Sequence, residues 1–416
     1  MNDFLERLSA TRRFGMKPGL ETIARVCKAL GDPQRKFKAV HIAGTNGKGA
    51  VSAIIDSALR EAKIGCVARY TSPHLVKVNE RFLIDGALAS DGQMLAATKH
   101  LEAALANESA ELTYFEMLTA IAFTMFAEKG VDYAVLECGL GGRLDATNIC
   151  EPALSVITNV GLDHCDWLGD TTEKVAQEKA GIIKRGIPVV LARNCGTVRD
   201  VIAARARELD APFYYAPDVA DYLEIPQGFS LGGGFNRENA VTALAALKVL
   251  SQTDAGFGSQ VMEKFKDGFS NVVWPGRFHE VGSFIIDGAH NVPAAAALVK
   301  ALQGRPKVNL IAGFCADKNV DEVLAILAPV IRSAYAVKTN NPRSLTAAET
   351  AIKMRSAGIA AIECDTLSAA LRQAQDCDCQ TLICGSLFLA GEALVALCAY
   401  PWSTDIRFDL AETLSA

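Results

Sequence analysis

"HIAGTNGKGA" (His41–Ala50) is the stretch from which the rest of the chain is read. "FKAVHIAG" leads into it as a buried strand, and "GAVSAIIDSALREA" leaves it as a helix. Strand, glycine-rich loop and helix in that order make a phosphate-binding loop. Glycines let backbone amides approach phosphate oxygens, and a helix N-terminus favours an anion. Gly44, Thr45, Asn46, Gly47, Lys48 and Gly49 are therefore candidate nucleotide contacts, with Lys48 as the point charge for the β- and γ-phosphates. A plain glycine-rich turn is the simpler alternative. The standard loop places a hydroxyl directly after the lysine to hold magnesium. Here Gly49 and Ala50 follow Lys48, so a metal would need other ligands.

Such ligands belong at the carboxyl ends of neighbouring strands, where open α/β sheets bind their ligands. Three segments fit: "YTSPHLVKVNERF" with Ser72 and His74, "VLECGLGGRLDATN" with Glu137, and "ITNVGLDHCDWLGD" with Asp163, His164 and Asp166. A magnesium ion wants oxygen ligands and usually keeps several waters, and these strand ends carry metal-compatible side chains. A single strand-end histidine is usually a hydrogen-bonded structural residue. Several such side chains beside a phosphate loop are harder to explain by packing.

Outward from the loop, strand and helix patterns alternate along most of the chain. This predicts an α/β protein with mostly parallel sheets covered by helices on both faces. At 416 residues the chain exceeds one ordinary core, so two domains are expected. The Trp-Pro-Gly segment in "NVVWPGRFHEVG" marks the boundary, giving residues 1–275 with the phosphate loop and a smaller Rossmann-like domain at 276–416. Net charge is −5 with no basic stripe, which argues against nucleic acid as a partner. The 12 cysteines are scattered without C-x-x-C spacing and read as reduced thiols. The N-terminus is charged without an apolar core, and no run is long enough to span a bilayer, so no membrane is involved and a cytoplasmic location is expected.

"HIAGTNGKG", "YTSPHLVKVNERF", "YFEMLTAIAF", "LECGLGGRLDATN", "GLDHCDWLGDTTEKVAQEKAGIIK", "PGRF", "DGAHN" and "GSLFLAGEAL" together resemble the ordered signatures of the folylpolyglutamate synthase/dihydrofolate synthase family, within the Mur-ligase superfamily. The resemblance spans roughly residues 17–395. It implies an ATP-dependent amide ligase that adds L-glutamate to dihydropteroate and to reduced folates through an acyl phosphate. ATP is then a co-substrate, Mg2+ the cofactor and a monomer the expected state. Another Mur-type ligase is the alternative within the superfamily. Such enzymes usually carry an additional N-terminal domain, whereas this chain reaches its phosphate loop by residue 44. A P-loop kinase or GTPase would not need the second domain, and a non-catalytic nucleotide-binding relative would be expected to lose Glu137, His164 or Lys179.

The resemblance also implies residue roles. Ser72, Glu137 and His164 match the metal ligands, and Gly49 is normal for the family, whereas Ala50 replaces its usual serine. Lys179 matches a lysine that many members carbamylate, with Lys184 the lesser candidate. An ordinary surface lysine is the plain alternative for Lys179. Asn239 and Arg277 match ATP contacts, Asp287 a contact to the nucleotide's sugar or base, and His290 a catalytic support near phosphate or glutamate. Arg277 could instead tie the domains together and Asp287 could cap a helix. The family's D-G-A-H-N-P reads "DGAHNVP" here, with the proline displaced by one. Thr113, Tyr114, Phe115 and Glu116, with Leu144, Asp145 and Ala146, match the dihydropteroate pocket. Phe115 reads equally as a core aromatic. The tail after Ala399 matches nothing recognised.

Overall fold

The computed structural model describes residues 19–108, 110–254, 256–257, 261–375 and 379–402. The N-terminal stretch read for a signal and most of the unmatched tail lie outside these residues. The chain forms two compact units. Among the described residues, one comprises those within 19–74, 78–230 and 237–272; the other comprises those within 75–77, 231–236 and 273–402.

The first unit is built on eight strands: β1 (Lys38–Ala43), β2 (Val67–Tyr70), β3 (Phe82–Ile84), β4 (Ala87–Leu88), β5 (Tyr133–Glu137), β6 (Pro152–Ile157), β7 (Val189–Leu191) and β8 (Phe213–Tyr215). Their order across the sheet is β4-β3-β2-β5-β1-β6-β7-β8. Pairing is parallel except at the β2-β3-β4 edge. Every residue of β1 after Lys38 is buried, as expected for a strand covered on both faces. The register Ile42↔Glu137 and Ala43↔Ile157 brings the ends of β5 and β6 to either side of the loop that leaves β1.

Helix α1 (Lys48–Glu61) follows that loop. Helix α2 (Tyr114–Lys129) is apolar almost all round and is correspondingly buried between neighbours. Thr113 and Glu116 close its N-terminus reciprocally: the Thr113 hydroxyl accepts from the Glu116 amide, and the Glu116 carboxylate accepts from the Thr113 amide. Helix α3 (Thr172–Ala180) carries Lys179, and helix α4 (Gly234–Thr253) carries Asn239.

The second unit holds a six-stranded sheet, ordered β13-β12-β11-β14-β10-β9. Its strands are β9 (His279–Val281), β10 (Phe284–Ile286), β11 (Val308–Ala312), β12 (Ile331–Ala336), β13 (Ala361–Glu363) and β14 (Thr381–Cys384). Only β9 runs antiparallel, and it lies in the segment read as a turn after Pro275. Among the described residues no helix is long and apolar enough to cross a membrane.

Candidate active site

The phosphate loop is tied on its β6 side. The Thr45 amide donates to Asn159 O at 2.7 Å, and the Thr45 hydroxyl donates to Gly161 O at 2.9 Å. The Thr158 hydroxyl donates to Asn46 O at 2.8 Å. Gly44 sits so close to Thr158 that an added Cβ would fall 1.8 Å from its Oγ1. Gly47 takes a left-handed conformation, φ 87°, and leads directly into α1. A Cβ there would lie 2.4 Å from Asn239 Oδ1, so α4 holds the expected asparagine against the loop. Gly49 and Ala50 are buried in the first turn of α1.

Two lysines meet at one carbonyl. Lys48 Nζ donates to Gly44 O at 3.1 Å and to Thr45 O at 3.2 Å. Lys179 Nζ donates to Gly44 O at 2.9 Å. Lys179 is 1% exposed, which overturns the surface-helix reading. Burial, and then the positive charge of Lys48, push its ammonium down to about pKa 7. Lys184 lies apart, donating to Asn148 O at 2.9 Å, with its pKa lowered by burial.

Glu137 ends β5 with 4% exposure, and its carboxylate accepts from the Ser72 amide at 3.1 Å. Two of the three expected metal ligands are thus adjacent. His164 sits on a turn after β6 with φ 51° and a half-exposed side chain. Its Nε2 lies 3.9 Å from Asp163 Oδ1, and Asp163 is near enough to act electrostatically on Lys179. Among the described residues no group of three His, Cys, Asp or Glu side chains converges as a metal site. The carboxylate of Glu137 beside Ser72 nonetheless offers the hard oxygen donors that magnesium takes.

Beside Ser72 opens a cavity of about 440 Å³, lined by all seven residues expected of the acceptor pocket: Thr113, Tyr114, Phe115, Glu116, Leu144, Asp145 and Ala146. Thr113 and Glu116 spend their polar groups on each other as the helix cap and so shape the wall. Phe115 packs as a core aromatic and also lines the cavity. Its ring packs 6.0 Å from that of Tyr70 and lies against Gly139, while also facing the cavity. Asp145 is buried, with its pKa raised by burial and opposed by hydrogen bonds from Thr147, Leu140 and Gly139. Arg81 also lines the cavity and was not singled out in the sequence. It donates to His74 Nδ1 at 2.9 Å and lies 5.8 Å from the Tyr114 ring centroid. Its signal was the cation at the end of "YTSPHLVKVNERF".

In the second unit, Asp287 follows β10 and is 4% exposed. Its carboxylate accepts from the amides of Phe278 and Ala289, each at 2.7 Å, and burial raises its pKa against the pull of Arg277. It therefore braces the turn, and the cap of the following helix (Val292–Leu302) is Asn291. Arg277 donates to Gly276 O at 2.9 Å, and His290 Nδ1 lies 2.8 Å from Gly288 O.

Both units resemble known proteins. Residues 42–192 match the Mur ligase middle domain, and residues 276–387 match the Mur ligase, glutamate ligase domain. The chain is 34% identical over 362 residues to the dihydrofolate synthase/folylpolyglutamate synthase of Bacillus subtilis, covering 80% of this chain and 84% of that protein. Escherichia coli FolC, solved with DHPP and ADP, superposes with a TM-score of 0.84 at 29% identity, covering 95% of this chain and 97% of that one. A bifunctional folylpolyglutamate synthase/dihydrofolate synthase from Yersinia pestis, solved with AMPPNP and a Mn ion, gives 0.83 at 30% identity, covering 95% and 97%. The chain is an ATP-dependent ligase and belongs to the dihydrofolate synthase/folylpolyglutamate synthase family.

Proposed function

We propose that this protein joins L-glutamate to dihydropteroate, and also to reduced folates, in an ADP-forming reaction through an acyl phosphate. The observation that carries this reading is the cavity. It places the Phe115 ring, the Arg81 cation and the buried Asp145 carboxylate around one space, beside the Ser72–Glu137 pair. A flat heterocycle fits against Phe115, with Asp145 to accept hydrogen bonds from its ring nitrogens.

An oxygen of the acceptor carboxylate bonds to the γ-phosphorus of ATP, and the bond to the β–γ bridging oxygen breaks, leaving ADP. The neutral amine of glutamate then attacks the acyl carbon. Phosphate leaves with the bonding pair, and the amine's extra proton passes to solvent. Positioning and charge neutralisation carry most of such a reaction. The loop amides from Gly44 to Gly49 and the Lys48 ammonium hold the phosphates, while Asn239 fixes the loop. Arg277, Asp287 and His290 are assigned to the nucleotide and glutamate. Magnesium held by Ser72, Glu137 and His164 would neutralise charge on the transferring group.

With a pKa of about 7, Lys179 supplies the neutral amine that carbamylation requires. The amine attacks carbon dioxide, a proton leaves, and an anionic carbamate replaces a cation beside the loop. Phosphate release by the purified protein with MgATP and L-glutamate tests the whole reading. Dihydropteroate, tetrahydrofolate or no acceptor is supplied, and products are weighed by mass spectrometry. Glutamate adducts on both acceptors are expected. ATP turnover without either adduct would overturn the assignment.

A further inference from the structure

One buried group beneath the loop has no part in this chemistry. His41, in the middle of β1, is fully buried. Its Nε2 lies 2.8 Å from Thr147 Oγ1 and 3.1 Å from Cys138 Sγ. Thr147 Oγ1 in turn donates to Asp145 Oδ1, which also accepts from the Thr147 amide at 3.0 Å. The other oxygen, Oδ2, accepts from the Leu140 amide at 2.9 Å. Asp145 is the carboxylate that faces the cavity.

The proton positions along this chain follow from counting. With Asp145 ionised, the Thr147 hydroxyl gives its single proton to that carboxylate in preference to the more distant Cys138 Sγ at 3.6 Å, so it accepts from His41 and Nε2 carries the hydrogen. Nδ1 then presents a lone pair, and it has no partner among the described residues. Burial, with Lys184 nearby, pushes the imidazole down to about pKa 3, in keeping with a neutral ring. The segment Ala146–Ile149 is a short helical turn capped by Asp145, so the carboxylate's direction depends on how that turn is held. Packing alone would be satisfied by any ring of this size.

We infer that His41 is a positioning residue for the acceptor pocket, acting through the Thr147 hydroxyl to fix the direction of the Asp145 carboxylate. The inference rests on the assignment of the cavity to the pteroate acceptor. The chain of hydrogen bonds also joins the strand that feeds the phosphate loop to the wall of the pocket.

The test compares His41→Phe, which keeps the ring volume, with His41→Gln, whose amide can reproduce the Nε2–H donor. Dihydropteroate binding is measured by calorimetry, and KM values for dihydropteroate and MgATP by steady-state kinetics. His41→Phe is expected to weaken dihydropteroate binding and raise its KM about tenfold, the scale of one lost hydrogen bond in a buried network. The KM for MgATP should stay within about twofold. His41→Gln should recover most of the loss.

Equal dihydropteroate affinity in His41→Phe and the parent, or no recovery with glutamine, would overturn the inference. A parent that binds no pteroate at all would instead sink the proposed function. Should His41→Phe fail to fold by circular dichroism, Thr147→Val and Thr147→Ser decide the matter. Valine must show the same acceptor-specific loss and serine must not.

Discussion

Replacing Lys179 by methionine removes a charge while keeping most of the side chain's length and apolar volume. In the native protein the ammonium is 1% exposed, beside Lys48, with its pKa lowered from 10.5 to about 7. At about 1.4 kcal/mol per pKa unit, that displacement corresponds to a cost of about 5 kcal/mol when the group must be charged. The sign follows from proton counting. Between about pH 7 and pH 10.5 the unfolded chain binds the proton and the native chain does not, so stability rises with pH through that window. Below pH 7 both states are charged and the full cost is present. The parent should therefore gain about 2 kcal/mol relative to Lys179→Met between about pH 7 and pH 9. Urea unfolding in carbonate-free buffer measures this, with Trp274 and Trp402 replaced by phenylalanine so that Trp167, in the short helix packed against α3, reports on the first unit. Parallel stability profiles for parent and variant across the window would refute the argument. Adding bicarbonate to the parent, but not to the variant, should produce a carbon dioxide adduct visible by native mass spectrometry.

Gly44→Ala places a Cβ 1.8 Å from Thr158 Oγ1, so the loop must shift. The KM for MgATP should rise by about tenfold or more, and an unchanged value would show that the loop is not held as described. Phe115→Ala removes the ring that faces the cavity. It should raise the KM for dihydropteroate about tenfold, equivalent to about 1.4 kcal/mol, with that for MgATP unaffected. Steady-state kinetics against each substrate separates the two. Chelation of divalent cations should abolish phosphate release while leaving circular dichroism unchanged, and Mg2+ should restore turnover; activity persisting in excess chelator would remove the metal from the reaction.

The central strand, the loop and α1 were legible because apolar residues dominate the strand and helix and the glycines punctuate the turn between them. The lining of the cavity was legible only as motifs. Nothing in local pattern says that residues 113–116, at the start of the helix before β5, and 144–146, after β5, face one cavity; only the tertiary fold brings them together. The β3–β4 hairpin was missed although its turn is written in the chain: Asp85 and Gly86 both take positive φ, as a tight hairpin turn demands. The strands it joins are too short to show alternation. Lys179 was singled out by its motif, but its burial was hidden for a different reason. "TEKVAQEKA" is polar enough to read as a solvated helix, and only tertiary packing turns one of its lysines onto Gly44 O. The link from His41 to Thr147 spans 106 positions, and no spacing rule reaches that far.

The tethers from Thr45 and Asn46 to the segment after β6 bear on timing. A loop already fixed by its own protein pays little ordering entropy when a nucleotide arrives. Capture should then be limited by encounter, without a slow rearrangement of the loop beforehand. The same reasoning applies in reverse: ADP can leave without the loop unravelling, so any step that makes turnover slow must be sought elsewhere in the cycle.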